Sequence, residues 1–178
     1  SNYTQSVAGE TKLCDSPFEP GSVTGKIVVC ERGGNGRNEK SFNVSLGGAA
    51  GMILYNPTLQ SLFTDNFWVP TVMLEGPEPA AAIVAFLTSH TGITAKWETG
   101  TKTHVRGDVM ATFSSRGPGT DFIKPDVTAP GLQILAGNTP EPTDVAAGPP
   151  GQLYQIIAGT SMSSPHSAGA SALVKAAH

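Results

Sequence analysis

Charge is scarce in this chain. Asp, Glu, Lys and Arg make up only 14% of its 178 residues, the net charge is −3, and no basic block occurs. That excludes the electrostatic footprint of a nucleic-acid binder and a polybasic patch for an anionic membrane. No run of about 18 apolar residues exists to span a bilayer. Cysteine is limited to Cys14 and Cys30. Two thiols cannot build a four-cysteine zinc site, and no C-x-x-C occurs. No cluster of acidic residues suits calcium, so no metal and no cofactor is expected. One disulfide or two buried free thiols both fit the pair. The disulfide is the reading adopted. It closes a short, turn-rich loop, constrains the unfolded chain by about 3 kcal/mol and goes with an exported protein. The chain does not open on Met and shows no signal peptide, so processing or truncation is expected to have removed its start. Asn2-Tyr3-Thr4 and Asn43-Val44-Ser45 are formal glycosylation sequons, and Pro57 excludes Asn56.

What the chain has in plenty is Gly (21) and Pro (14), which promise many turns. The length allows one ordinary domain or two small ones. Residues 1–24 read as loop with one short strand near Lys12. The β-branched run Lys26 to Cys30 reads as a buried strand, and 38–48 as a helix with Phe42, Val44 and Leu46 inside it. Met52 to Tyr55 is a second buried strand. Val69 to Leu74 is a third, placed at an edge or a strand entry by Pro70. Pro77 to Ser89 is a helix, with prolines in its first turn and Ile83, Val84, Phe86 and Leu87 on its apolar side. Strands are expected at 93–99, 109–113 and 134–137, and a Pro/Gly-rich surface loop at 138–152. Gly34-Asn35-Gly36 follows a strand and opens a helix, as in a dinucleotide-binding turn, but position 39 is Glu. The fingerprint is incomplete, and the glycines read as turn residues.

The stretch with chemistry in it is Gly159-Thr160-Ser161-Met162-Ser163-Ser164-Pro165-His166-Ser167-Ala168-Gly169. A β-prone run, 153–158, leads in, and a small-residue helix to about Ala176 leads out. Ser161 thus sits where a strand becomes a helix, beside unpaired first-turn amides and the positive end of the helix dipole. Position alone reads as an N-cap serine. The wider string, Gly-Thr-Ser-Met-x-x-Pro-His-x-x-Gly, resembles the nucleophile motif of subtilases, the subtilisin-like serine proteases. It departs from the G-x-S-x-G elbow of lipases and esterases, because position 163 is Ser. Phe113-Ser114-Ser115-Arg116-Gly117-Pro118 and Lys124-Pro125-Asp126-Val127-Thr128-Ala129-Pro130-Gly131 resemble further subtilase strings, in the family's order. Upstream, Gly25 to Gly33, Gly47 to Leu54 and Val69-Pro70 look like a protease-associated (PA) domain, which large subtilases carry as an insert before the serine segment. The Cys14 and Cys30 arrangement resembles the paired cysteines of such inserts.

The resemblance implies an α/β chain. A small PA-type α/β domain at 1–91 is followed, at 92–178, by the C-terminal portion of a subtilisin-like parallel α/β domain carrying Ser161. It implies a serine endopeptidase that acts on protein or peptide substrates through an acyl-enzyme on Ser161, with the Ser161 backbone amide as an oxyanion donor. In the family's order Asp, His, oxyanion Asn, Ser, the first three precede the PA insert. They are therefore expected outside this chain, which alone should be inactive and would need that N-terminal part of the catalytic domain as its partner. A binding module is the competing reading, a PA-type interaction domain with a non-catalytic peptidase remnant. His166 is no substitute base. On a helix the step from Ser161 to His166 turns about 500°, leaving about 140° between the side chains. His90 is expected at a helix end, His104 in a linker, and His178 is terminal. Asp126 reads as a turn residue bonded to its own backbone, and Asp121 and Asp144 as loop residues with no partner. With its parallel partners elsewhere, the second half is expected to expose apolar surface.

Overall fold

The computed structural model describes residues 2–5 (backbone only), 12–96, 99–117, 121–122 and 124–178. Its frame is a four-stranded parallel sheet of β1 (Asn2–Gln5), β2 (Lys26–Glu31), β3 (Gly51–Asn56) and β4 (Thr71–Glu75), in that order. The register sets Tyr3 beside Ile27, Val28 beside Met52, and Leu54 beside Met73. β2 and β3 are central and covered on both faces, which is why they read as continuous apolar runs. Alternate side chains serve two clusters. Val28, Cys30, Met52 and Leu54 join Val23, Val44 and Val69 on one face. Val29 and Tyr55 join Ala80 and Leu87 on the other. β4 lies at the sheet edge immediately after Pro70, whose carbonyl accepts from Met52 N–H at 2.9 Å.

Helix α1 (Arg37–Leu46) covers the first face and α2 (Pro77–Ser89) the second. α2 packs Ala80, Ile83, Val84 and Leu87, an i, i+3, i+4, i+7 stripe; Phe86, expected on the apolar side, falls off that stripe, is exposed and stacks on His90 instead. α1 departs from the sequence expectation. Leu46 is exposed, and the inward face is Lys40, Ser41, Asn43 and Val44. The polar members are tolerated because each is partnered. Ser41 Oγ accepts from Trp68 N–H at 3.1 Å. Asn43 Nδ2 donates to the Cys14 carbonyl at 3.0 Å. Asn43 is thus a buried structural amide with its nitrogen occupied, and its sequon is closed to modification in the folded chain.

Lys40 is fully buried. Its ammonium donates to the carbonyls of Leu13 and Gly33 (2.6 Å for the latter) and to Asn35 Oδ1 at 2.7 Å, tying α1 to the glycine turn. Burial pulls its pKa down to about 8, against the raising effect of Asp15, Glu39 and Glu31. The unfolded chain keeps this proton up to about 10.5, whereas the folded chain releases it from about 8 upward. Between those values the unfolded state binds more protons, so stability rises with pH across that window and gains nothing below it. Urea unfolding of this chain should show a gain of about 2 kcal/mol from pH 7.5 to 9.5 relative to Lys40→Met, which lacks the titrating group. Parallel profiles for the two proteins would contradict the assignment.

Several sequence expectations change here. Lys12 and Leu13 lie in a turn, with the Lys12 carbonyl accepting from Glu31 N–H at 2.7 Å. Residues 6–11 lie outside the described residues. The first strand is Asn2–Gln5, which carries no apolar alternation to announce it. The described part of 93–99 forms no regular strand; 97 and 98 lie outside the described residues. Residues 109–113 form a turn and extended chain, with Val109 and Met110 exposed. A buried parallel strand needs neighbours, and none lies beside this segment among the described residues.

Candidate active site

Among its described residues the second half has two strands, β5 (Ile134–Gly137) and β6 (Tyr154–Ile157), and one long helix, α3 (Thr160–Ala177). β5 and β6 pair antiparallel, Ile134 with Ile157 and Gly137 with Tyr154. The expected parallel arrangement is thus not what this pair forms. Loop 138–153 returns the chain beside β5 without a helical crossover onto a sheet face, and strands joined in that way run antiparallel. β6 delivers the chain to Gly159, the N-cap of α3. Gly159 N–H donates to the Gly131 carbonyl at 2.8 Å, and Met162 N–H to the Gly159 carbonyl at 3.0 Å. Gly131 must lack a side chain here, since a Cβ would lie 2.1 Å from Ser163 Oγ and 2.8 Å from the Gly159 carbonyl. The Pro130-Gly131 turn is therefore seated directly on the start of α3.

Ser161 is exposed in the first turn of α3, and its backbone N–H has no acceptor among the described residues. Such a free amide at a helix N-terminus suits an oxyanion. Beside it, Thr160, Ser163, Ser164 and Ser167 form one helix face that lines a cleft of about 900 Å³. The opposite wall comes from segments 106–117 and 124–132. Ser161 is off that face by about 100° from Thr160 and does not line the cleft.

All four histidines are described, and none is hydrogen-bonded to Ser161. His166 folds back along α3, its Nδ1 3.0 Å from the Met162 carbonyl. His90 caps the end of α2, Nδ1 3.0 Å from the Phe86 carbonyl. His104 and His178 are exposed. Asp126 pairs with the exposed Lys124 ammonium at 2.7 Å instead of bonding its own backbone. Asp144, expected without a partner, caps a short 3-10 turn (Val145–Ala147) by accepting from Ala146 N–H at 2.8 Å. Asp121 is exposed. Cys14 and Cys30 form a disulfide, with Cα atoms 5.7 Å apart, remote in sequence from the serine turn. No group of three His, Cys, Asp or Glu residues capable of holding a metal occurs among the described residues.

Beyond Leu87 no hydrophobic side chain is buried among the described residues, and α3 buries none at all. Val109, Met110, Val127, Leu135, Leu153, Tyr154, Leu173 and Val174 are exposed, so the serine-bearing half has apolar faces without a core of its own. None of the described helices is long and apolar enough to cross a membrane.

An α/β chain with a serine at a strand-to-helix turn narrows the class, and comparison with known proteins completes the step. The chain belongs to the subtilase family, which it matches over residues 19–178. It is 42% identical to the subtilisin-like protease SBT1.4 of Arabidopsis thaliana, over 88% of this chain and 21% of that protein. It is 35% identical to SBT5.4 of the same plant, over 100% of this chain and 24% of the relative. The minor extracellular protease Vpr of Bacillus subtilis is 37% identical, over 90% of this chain and 19% of its own length. The chain therefore spans about a fifth of the length of the curated relatives it matches.

Proposed function

We propose that this chain is the serine-bearing segment of a subtilisin-like endopeptidase, and that Ser161 is its nucleophile. The observation that carries the reading is the free amide of Ser161 in the first turn of α3, within a chain of the subtilase family. In this scheme Ser161 Oγ attacks a peptide carbonyl and passes its proton to a histidine base. The resulting oxyanion takes a hydrogen bond from the Ser161 N–H, and the acyl-enzyme forms as the C–N bond breaks and the histidine returns that proton to the leaving amine. The histidine, its orienting aspartate and a side-chain oxyanion donor lie outside these 178 residues. Supporting this, every histidine present is engaged elsewhere or exposed.

Residues 1–91 act as a PA-type domain and 92–178 as part of the peptidase domain. One buried cluster draws on residues up to Met73 and the other on residues up to Ile93, which supports a boundary close to residue 92. Secretion fits the Cys14–Cys30 disulfide and the extracellular Bacillus relative. The test is a fluorophosphonate adduct on the full-length protein, mapped by peptide mass spectrometry. An adduct on the peptide holding Ser161 is expected. An adduct on another serine contradicts the assignment.

A further inference from the structure

We propose that the first half of the chain positions the nucleophile, with Asn38, Asn66 and Trp68 as positioning residues that hold the segment feeding Ser161. The proposal rests on Ser161 being that nucleophile.

Among the described residues, three side chains of the first half reach into 145–154, and each donates to a backbone carbonyl. Asn38 Nδ2, on α1, donates to the Ala146 carbonyl at 2.7 Å. Trp68 Nε1 donates to the Val145 carbonyl at 3.1 Å. Asn66 Nδ2 donates to the Tyr154 carbonyl at 2.8 Å. Gly148 sits against the same loop, where a Cβ would come within 2.5 Å of the Asn66 carbonyl. The donors stand on a rigid base. Trp68 N–H is fixed by Ser41 Oγ at 3.1 Å, its ring meets Phe42 edge-on at 4.9 Å, and the next residue, Val69, is in the core.

The acceptors lie on the path to the serine. Tyr154 opens β6, β6 runs into Gly159, and Gly159 is tied to Gly131 and caps α3. Segment 138–154 and α3 bury no hydrophobic side chain among the described residues, so apolar packing within the chain does not fix their place. Polar ties to the first half are what this structure offers instead. Holding a reacting group to within about 1 Å is worth up to about a hundredfold in rate. A tether that sets where β6 begins therefore acts on the nucleophile without touching substrate.

The test uses the double variant Trp68→Phe/Asn66→Ala, which removes two donors and keeps the aromatic ring against Phe42. In the full-length protease, kcat for a peptide substrate should fall about tenfold or more while KM stays within about twofold. In the 178-residue chain, amide exchange at Gly159 and Met162 should speed up about tenfold. Asn66→Gln, which keeps an amide donor, should recover part of the lost kcat, and Asn38→Ala, on a separate element, should lower kcat in the same sense. Unchanged kcat in the double variant, beside an inactive Ser161→Ala, overturns this proposal alone. Full hydrolysis by Ser161→Ala overturns the nucleophile assignment and this proposal with it.

Discussion

Replacing Ser161 by Ala in the full-length protein should lower peptide hydrolysis by roughly a millionfold, the scale the nucleophile carries in subtilisin, a protease of this same family. The loss should appear in kcat, since the hydroxyl forms its bond only as the transition state is reached. Substrate binding should be nearly untouched. The companion change separates mechanism from scaffold. His166 follows the serine on the same helix, but its Nδ1 is turned to the Met162 carbonyl and away from Ser161. His166→Ala therefore removes one exposed helix-surface hydrogen bond, worth about 1 kcal/mol of stability, and should keep activity within about tenfold. A loss with His166→Ala as large as with Ser161→Ala would make His166 the base. The expected result follows from the helix geometry, which sets the two positions about 140° apart around the axis.

The second large effect is on folding. Cys14→Ala/Cys30→Ala should destabilise the first half by about 3 kcal/mol, the loop-closure term for a loop of this size. The disulfide joins the loop before β2 to β2 itself, across a sequence separation of 16. Both cysteines are also buried in the cluster with Val28, Val44 and Leu54, so their removal takes packing with it. What the bond holds is the chain around Leu13, whose carbonyl accepts from buried Lys40, and the Cys14 carbonyl, which accepts from Asn43. Chemical denaturation of the first-half core, followed by Trp68 fluorescence, measures the change. A shift below about 1 kcal/mol would mean that the hydrogen-bonded loop is held without the covalent link.

The elements legible in the sequence are those whose burial is apolar and periodic. β2 and β3 show as continuous runs because helices cover both faces. α2 shows through Ile83, Val84 and Leu87, although Phe86 stays outside the packed stripe and Ala80 joins it, and β4 declares its edge position through Pro70. α1 was legible as a helix but not in its facing, because its inward side is Lys40, Ser41 and Asn43. Polar residues can face inward only when specific partners meet them, and those partners, Leu13, Gly33 and Cys14, contribute backbone carbonyls. The same reason hides the docking of 138–154 onto the first half, where the acceptors are the carbonyls of Val145, Ala146 and Tyr154. A carbonyl leaves no mark on residue type. The proposal that Ser161 is the nucleophile rests on its surrounding string, since a serine in a first helical turn reads equally well as a cap. The strand expected at 109–113 failed because an apolar run forms a strand only where a neighbouring strand pairs with it.

The central claim is that these 178 residues hold the nucleophile and not its base. Fluorophosphonate labelling of this chain alone, against a Ser161→Ala control, tests it most directly. No adduct on the folded chain is the predicted result, with Ser161 labelled only in the full-length protein. An adduct on the chain alone that vanishes in Ser161→Ala would place a working base within these residues and contradict the claim.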